Sequence, residues 1–165
     1  MIYLDNASTT KIDPSVLDAM MPFLTDEYGN PGTIYGLGRR AKEAIEKARA
    51  QVAKFIGAKP EQIIFTSGGT EANNMVFSSL LSFLEQSEKT HVITTSSDHV
   101  SVLDSARNLC IKRGFDLTEL QVNHHGCVEL GNLKSELREN TGLVSIMYMN
   151  NETGSENPVE EIGAM

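Results

Sequence analysis

The segment Ile63-Ile64-Phe65-Thr66-Ser67-Gly68-Gly69-Thr70-Glu71-Ala72-Asn73-Asn74 is the part of the chain best suited to holding a ligand. An apolar β-type run stops at a serine and two glycines, and a helical pattern begins at once. Such a junction leaves the first backbone N–H groups of the helix unpaired at the positive end of its dipole, where an anion such as phosphate can settle. Gly68 and Gly69 let backbone approach the anion without a Cβ in the way, and Thr70 adds a hydroxyl donor. A plain capped turn would carry the same residues. No Lys follows the glycines and the pattern is not G-x-G-x-x-G, so it argues for neither ATP nor a dinucleotide.

Two further segments could carry chemistry. His99 follows Thr94-Thr95-Ser96-Ser97-Asp98, where a second apolar run gives way to a helical pattern. An imidazole there can pack, stack on an aromatic ring or move a proton. Asn150-Asn151-Glu152-Thr153-Gly154 closes a third run. Turn formation accounts for those residues, and an amide in that place can also bond a ligand oxygen. Cys110 shares an apolar face with Val102, Leu103, Ala106 and Leu109 and reads as core. Cys127, beside Val128, reads as a small packed residue, and neither thiol has a neighbouring base that would make it a nucleophile. The two cysteines have no metal-ligand spacing, and His124-His125 before Gly126 reads as a solvated turn, so no metal site is expected.

The elements that must position these residues alternate regularly. Strand patterns over 63–66, 91–95, 117–122 and 143–149 are separated by helical patterns over 70–85, 100–113 and 131–140. That alternation implies βαβ units and a parallel sheet. Ligands of such sheets lie at the carboxyl ends of the strands, which here are 67–70, 96–99 and 150–154. Ahead of the sheet, Asp13-Pro14-Ser15 opens a helix with Leu17, Met20, Met21 and Leu24 on one face. Gly29-Asn30-Pro31-Gly32 is a loop. A long helix over 38–56 then carries Ala41, Ala44, Ile45, Ala48, Val52 and Phe55, with Gly57 at its C-cap. Asn157 caps a last helix that Pro158 starts, and its halt at Met165 suggests a missing continuation.

Composition narrows the function classes. The 165 residues suit one ordinary domain, and 40% apolar with 22% charged residues is a globular balance. A net charge of -8 and a pI near 5.0 argue against nucleic acid or an anionic membrane as partner. The start Met1-Ile2-Tyr3-Leu4-Asp5 has no basic residue and no long apolar run, so no signal peptide is expected. The expected compartment is the reducing cytoplasm.

Taken together, the blocks resemble the N-terminal part of a cysteine desulfurase of the NifS/IscS type, in the class V aminotransferase family of pyridoxal 5'-phosphate (PLP) enzymes of fold-type I. The resemblance rests on Tyr3-Leu4-Asp5-Asn6-Ala7-Ser8-Thr9-Thr10, Gly29-Asn30-Pro31, Gly38-Arg39 and Phe65 to Glu71. Asp98-His99-Val100-Ser101-Val102-Leu103, Val144-Ser145-Ile146-Met147 and Asn150 to Gly154 complete it, in the family's order. It implies an α/β fold: a partial three-layer fold-type I large domain with a mainly parallel sheet, preceded by an N-terminal helical segment. Residues 1–14 would belong to the family's small domain and 15–165 to an incomplete PLP-binding large domain.

By the same resemblance Gly69 and Thr70 hold the PLP phosphate. His99 stacks on the pyridine ring and takes part in proton transfer as the catalytic residue, and Asn151 bonds the phenolic oxygen. The implied substrate is L-cysteine, turned into L-alanine while its sulfur passes to an acceptor such as an iron–sulfur scaffold or to tRNA thiolation. The family's tethering Lys, its Asp facing the pyridine nitrogen and its mobile Cys have no matching position here. The chain alone is therefore expected to be inactive. A departure stands at Tyr35, where many relatives have His. Without its sheet neighbours, 63–66 is expected to leave unpaired edges, so a homodimer or a complementing chain is expected. Other readings are an inactive split subunit or assembly module, a selenocysteine lyase, or another class V aminotransferase.

Overall fold

The computed structural model describes residues 2–165, which fall into two compact units, one ending at Phe65 and the other Thr66–Met165. The first unit is helical. Helix α1, Pro14–Thr25, begins where the Asp13 carboxylate accepts the Ser15 N–H at 2.8 Å. Bonds from the Ser15 hydroxyl and then its amide hold that carboxyl below the usual range. None of α1 is buried, so Leu17, Met20, Met21 and Leu24 form an exposed apolar face. Helix α2, Gly36–Ile56, starts two residues earlier than its periodicity indicates and ends on Gly57, whose φ of 70° is the left-handed conformation that glycine adopts without strain.

The segment 63–66 is not a strand. Ile63 is extended (φ -97°, ψ 125°), but no ladder forms on it among the described residues. The Ile63 carbonyl instead accepts from the Arg49 guanidinium at 2.5 Å, and the same group lies 5.0 Å from the centre of the Phe65 ring. Apolar β-type residues set backbone preference, but a strand exists only when a neighbour takes its hydrogen bonds.

The second unit is a three-stranded parallel sheet in the order β2–β1–β3, as the alternation of elements requires. Its strands are β1, His91–Thr95, β2, Asp116–Leu120, and β3, Thr141–Val144. Helix α3, Gly69–Leu84, leads into β1, and helices α4, Val100–Arg113, and α5, Leu130–Glu136, connect the strands. Alternate residues of β1 serve opposite faces. Val92 packs with Phe77, Leu81 and Leu84 of α3 and Val102, Ala106 and Cys110 of α4. Ile93 packs on the other face with Leu120, Val128 and Leu133. Cys110 is thus core, and burial raises its thiol to about 11. Arg113 braces α3 against α4 through Ser82 at 2.7 Å and Glu85 at 3.3 Å.

Several boundaries fall short of the sequence patterns. The pattern over 117–122 yields Asp116–Leu120, and the one over 131–140 yields a helix that stops at Glu136. Leu137 turns extended because Arg138 donates its N–H to the Thr141 hydroxyl at 2.9 Å, which carries the chain directly into β3. The 143–149 run pairs only up to Val144; beyond it Ser145 N–H reaches Ile93 O at 2.8 Å and Met149 forms a single antiparallel bridge to Glu156. Asn157 does not cap the final helix α6, Val159–Gly163. Its side chain is committed elsewhere, accepting Val128 N–H at 2.8 Å and donating to Met147 O at 2.9 Å.

His91 locks the amino end of the sheet. Its ring is fully buried, with Nδ1 2.9 Å from the Thr141 hydroxyl of β3 and Nε2 2.9 Å from the Thr118 hydroxyl of β2. The ladder slips between His91 and Val92, leaving Gly142 as the extra residue on β3. A Cβ at Gly142 would lie 2.8 Å from Leu84 Cδ1 and 2.9 Å from Lys89 Cβ, so only glycine lets the bulge pass under α3.

Burial, with the Arg138 charge, holds the His91 imidazole below its ordinary value of 6.5. The unfolded chain therefore takes up this proton first as the pH falls. The His91 contribution is complete above about 6.5 and is lost as pH drops through the lower folded-state value. Thermal melts across pH 5 to 8 should show a midpoint that falls on the acid side, and the His91→Gln variant should flatten that slope. An unchanged slope in the variant would remove His91 as its source.

Candidate cofactor site

The carboxyl ends of β1 and β3 and the N-terminus of α3 bring the sequence-expected residues into one bonded framework. Gly68, with φ 167° and ψ 179°, is the extended residue before α3, and Gly69 and Thr70 form its first turn. The earliest bond of the helix runs from Ala72 N–H to Gly68 O, so the amides of Gly69, Thr70 and Glu71 precede it and stay free of the helical ladder. A Cβ at Gly69 would meet nothing within 4 Å, which leaves this turn open on its outer side. Ser67 is not part of the free donor set. Its N–H and hydroxyl both go to the Glu71 carboxylate, at 2.6 and 2.7 Å, and those bonds, the hydroxyl's first, hold Glu71 below the usual carboxylate range.

His99 is the N-cap of α4. Its Nδ1 accepts the Ser101 N–H at 3.1 Å and lies 2.7 Å from the Ser101 hydroxyl, which in turn receives the Asn73 amide of α3 at 2.8 Å. The same helix returns to the phosphate turn, where Asn74 donates to Thr70 O at 2.8 Å. Before the histidine, Asp98 takes the His99 N–H on Oδ1 at 2.9 Å, while its Oδ2 is buried without a partner. Burial raises this carboxyl above its ordinary value, and the bond from His99 N–H works against that rise.

Asn151 lies in an exposed turn, with its amide donating to Glu152 Oε1 at 3.0 Å. The residue that fixes that turn is its neighbour. Asn150 Nδ2 donates to Ser97 O at 3.0 Å, and its Oδ1 accepts from Glu152 and Thr153 N–H at 2.9 and 3.0 Å. Gly154, at φ 72°, closes the turn with a bond to Asn150 O. One asparagine thereby ties the Asn151 turn to the turn that presents His99.

The donor set fits the phosphate and ring of PLP: free amides and an uncommitted Thr70 hydroxyl at a helix N-terminus, with a flat imidazole and an exposed amide on the joined turns. Lys112 shares a groove of about 550 Å³ with Thr70, but it lies 12 residues beyond Val100 along α4, roughly 18 Å at 1.5 Å per residue. Among the described residues no group of three or more His, Cys, Asp and Glu side chains could hold a metal, and no helix is long and apolar enough to cross a membrane.

The aminotransferase class-V family model matches residues 2–165. The chain belongs to the class-V aminotransferase family. Within it, the chain is 48% identical over 163 residues to a cysteine desulfurase of Nostoc sp., covering 99% of this chain and 40% of that protein. The structure of a NifS-like protein superposes with a TM-score of 0.93 at 38% identity, over 99% of this chain and 44% of the other. That of SspA in complex with cysteine gives 0.88 at 35% identity, over 98% and 46%. The chain thus spans less than half the length of these relatives. Its sheet and helices are part of a PLP fold-type I domain.

Sequence reasoning named Gly69, Thr70, His99 and Asn151 as candidates and did not single out Glu71, Asn73, Ser101 and Asn150, which bond around them. Spacing could have flagged Glu71, four residues after Ser67 across a helix start. The other three act between elements, and no local pattern marks them.

Adjacent asparagines should respond differently to truncation. Asn150→Ala removes one bond between two turns and two within its own turn, each worth about 1 kcal/mol net, and should cost about 3 kcal/mol in urea unfolding. Asn151→Ala, with one exposed contact, should change stability by less than about 0.5 kcal/mol. Equal losses would mean that Asn150 does not organise the turn.

Proposed function

We propose that this chain forms the cofactor-holding part of a PLP-dependent cysteine desulfurase, acting on L-cysteine to give L-alanine and passing the sulfur to an acceptor such as an iron–sulfur scaffold or tRNA thiolation. The observation that carries the reading is the tie between three turns: Asn73 to Ser101 and Asn150 to Ser97 hold the residues for phosphate, ring and ring oxygen in one framework. Residues 1–14 are assigned to the family's small domain and 15–165 to part of its large domain. The compartment that suits two free cysteines is the cytoplasm.

When bound, PLP supplies an electron sink for bonds at the α-carbon of an amino acid. The chain's own residues do the holding. Free amides at Gly69 and Thr70, with the Thr70 hydroxyl, would neutralise and orient the phosphate dianion. His99 would offer the pyridine ring a flat surface to stack on and would take part in moving a proton. Asn151 would donate its amide to the ring oxygen, and Glu71 keeps the Ser67 amide closed so that the phosphate turn keeps its shape. None of the residues assigned to the site is a Lys that could tether the aldehyde, so this reading calls for a homodimer or for a complementing chain or segment to complete the site. An assembly subunit without activity of its own is the second reading, favoured by the exposed apolar face of α1.

Titration calorimetry with PLP and with pyridoxal, which lacks the phosphate, tests the site. PLP should bind at least about tenfold more tightly, and Thr70→Val should remove about tenfold of that affinity, one charge-assisted hydrogen bond. Equal binding of the two compounds would overturn the phosphate assignment. The chain alone, given PLP and L-cysteine, should release neither alanine nor sulfide, and release of either would overturn the claim that another chain or segment completes the site.

A further inference from the structure

The bonds around His99 go beyond holding a cap. Resting on the assignment of His99 to the cofactor, we propose that Asn73 and Ser101 are positioning residues that fix His99 in its Nε2–H tautomer, so that the neutral ring meets a ligand as a proton donor at Nε2. The first support is the Ser101 backbone N–H, 3.1 Å from Nδ1. A backbone amide can only donate, so Nδ1 must present a lone pair. The second is the Ser101 hydroxyl, 2.7 Å from the same nitrogen. Its oxygen already receives the Asn73 amide at 2.8 Å, which turns its hydrogen toward Nδ1. Two donors converge on one nitrogen, and a proton placed there would meet both head-on.

The consequence concerns which nitrogen does what. Nε2 makes no hydrogen bond among the described residues and is the nitrogen left for a ligand. In the neutral ring it bears the hydrogen. Accepting a proton at Nε2 would require Nδ1 to lose its role as acceptor, against the Ser101 amide. Capping α4 needs only the backbone bond. The additional donor, the Ser101 hydroxyl of α4, is oriented by Asn73 of α3, the helix that carries Gly69 and Thr70, so the element that would hold the phosphate helps to place the ring's proton.

Long-range proton–nitrogen NMR of histidine-labelled chain, without cofactor, reads the tautomer directly. At about pH 8.5, His99 should be Nε2–H over Nδ1–H by about tenfold or more, the ratio one net hydrogen bond supplies. His99→Gln assigns the signals. In Asn73→Asp the carboxylate accepts the Ser101 hydroxyl hydrogen, so the oxygen offers Nδ1 a lone pair and the Nδ1–H form should gain population. Ser101→Thr keeps the hydroxyl and should keep the parent pattern. A parent His99 in the Nδ1–H form, or a folded Asn73→Asp with the parent pattern, overturns the proposal. If Asn73→Asp does not fold, the parent spectrum still decides. Failure of PLP to bind would sink the proposed function and leave this tautomer untouched.

Discussion

Enclosure of β1 is the constraint on which the second unit depends. All five residues, His91 to Thr95, are buried, with parallel neighbours on both edges and helices or packed loops on both faces. A strand with no solvent face can end only at its two tips. Its carboxyl tip therefore emerges between the tips of its neighbours, and the turn that carries Asp98 and His99 has to form there. The chemistry of the site follows from where a fully enclosed parallel strand is allowed to stop.

Enclosure imposes a second requirement, because polar groups on the strand must find partners inside the protein. At the amino end His91 meets it by joining both flanking strands through threonine hydroxyls. At the carboxyl end it is met by asparagines acting between turns: Asn150 on Ser97, Asn73 on Ser101, and Asn157 on Val128 and Met147. These amides set the separations of the turns, so structural and site roles are carried by neighbouring residues. Asn150 builds the turn that Asn151 rides on. Among the described residues, Asp98 Oδ2 and the Thr94 hydroxyl stay buried without partners, both at the carboxyl end of β1.

Much of this was legible in the sequence because it is local. The helix over 100–113 and the strand over 91–95 lie where their patterns place them, and Asp13, Gly57 and Gly154 act at the turns and caps that suit them. The misreadings share one cause. The segment 63–66 has strand residues but no neighbour to pair with. The run 143–149 loses its partner after Val144. Asn157 has the chemistry of a cap, yet Val128 and Met147 claim its side chain. In each, a partner distant in the chain decided the outcome.

Sequence alone determined the order of elements, the glycine-rich turn before α3, and the residue types able to meet a phosphate, a flat ring and an oxygen. Those are properties of neighbouring residues and of backbone preference. Tertiary structure decided which donors stay free, since Glu71 closes Ser67 and leaves the amides of Gly69 and Thr70. It also decided which nitrogen of His99 is an acceptor, because that depends on Ser101 and on an asparagine from another helix. Hydrogen-bond partners are chosen by distance in space, and only the folded sheet brings these turns within 3 Å of one another.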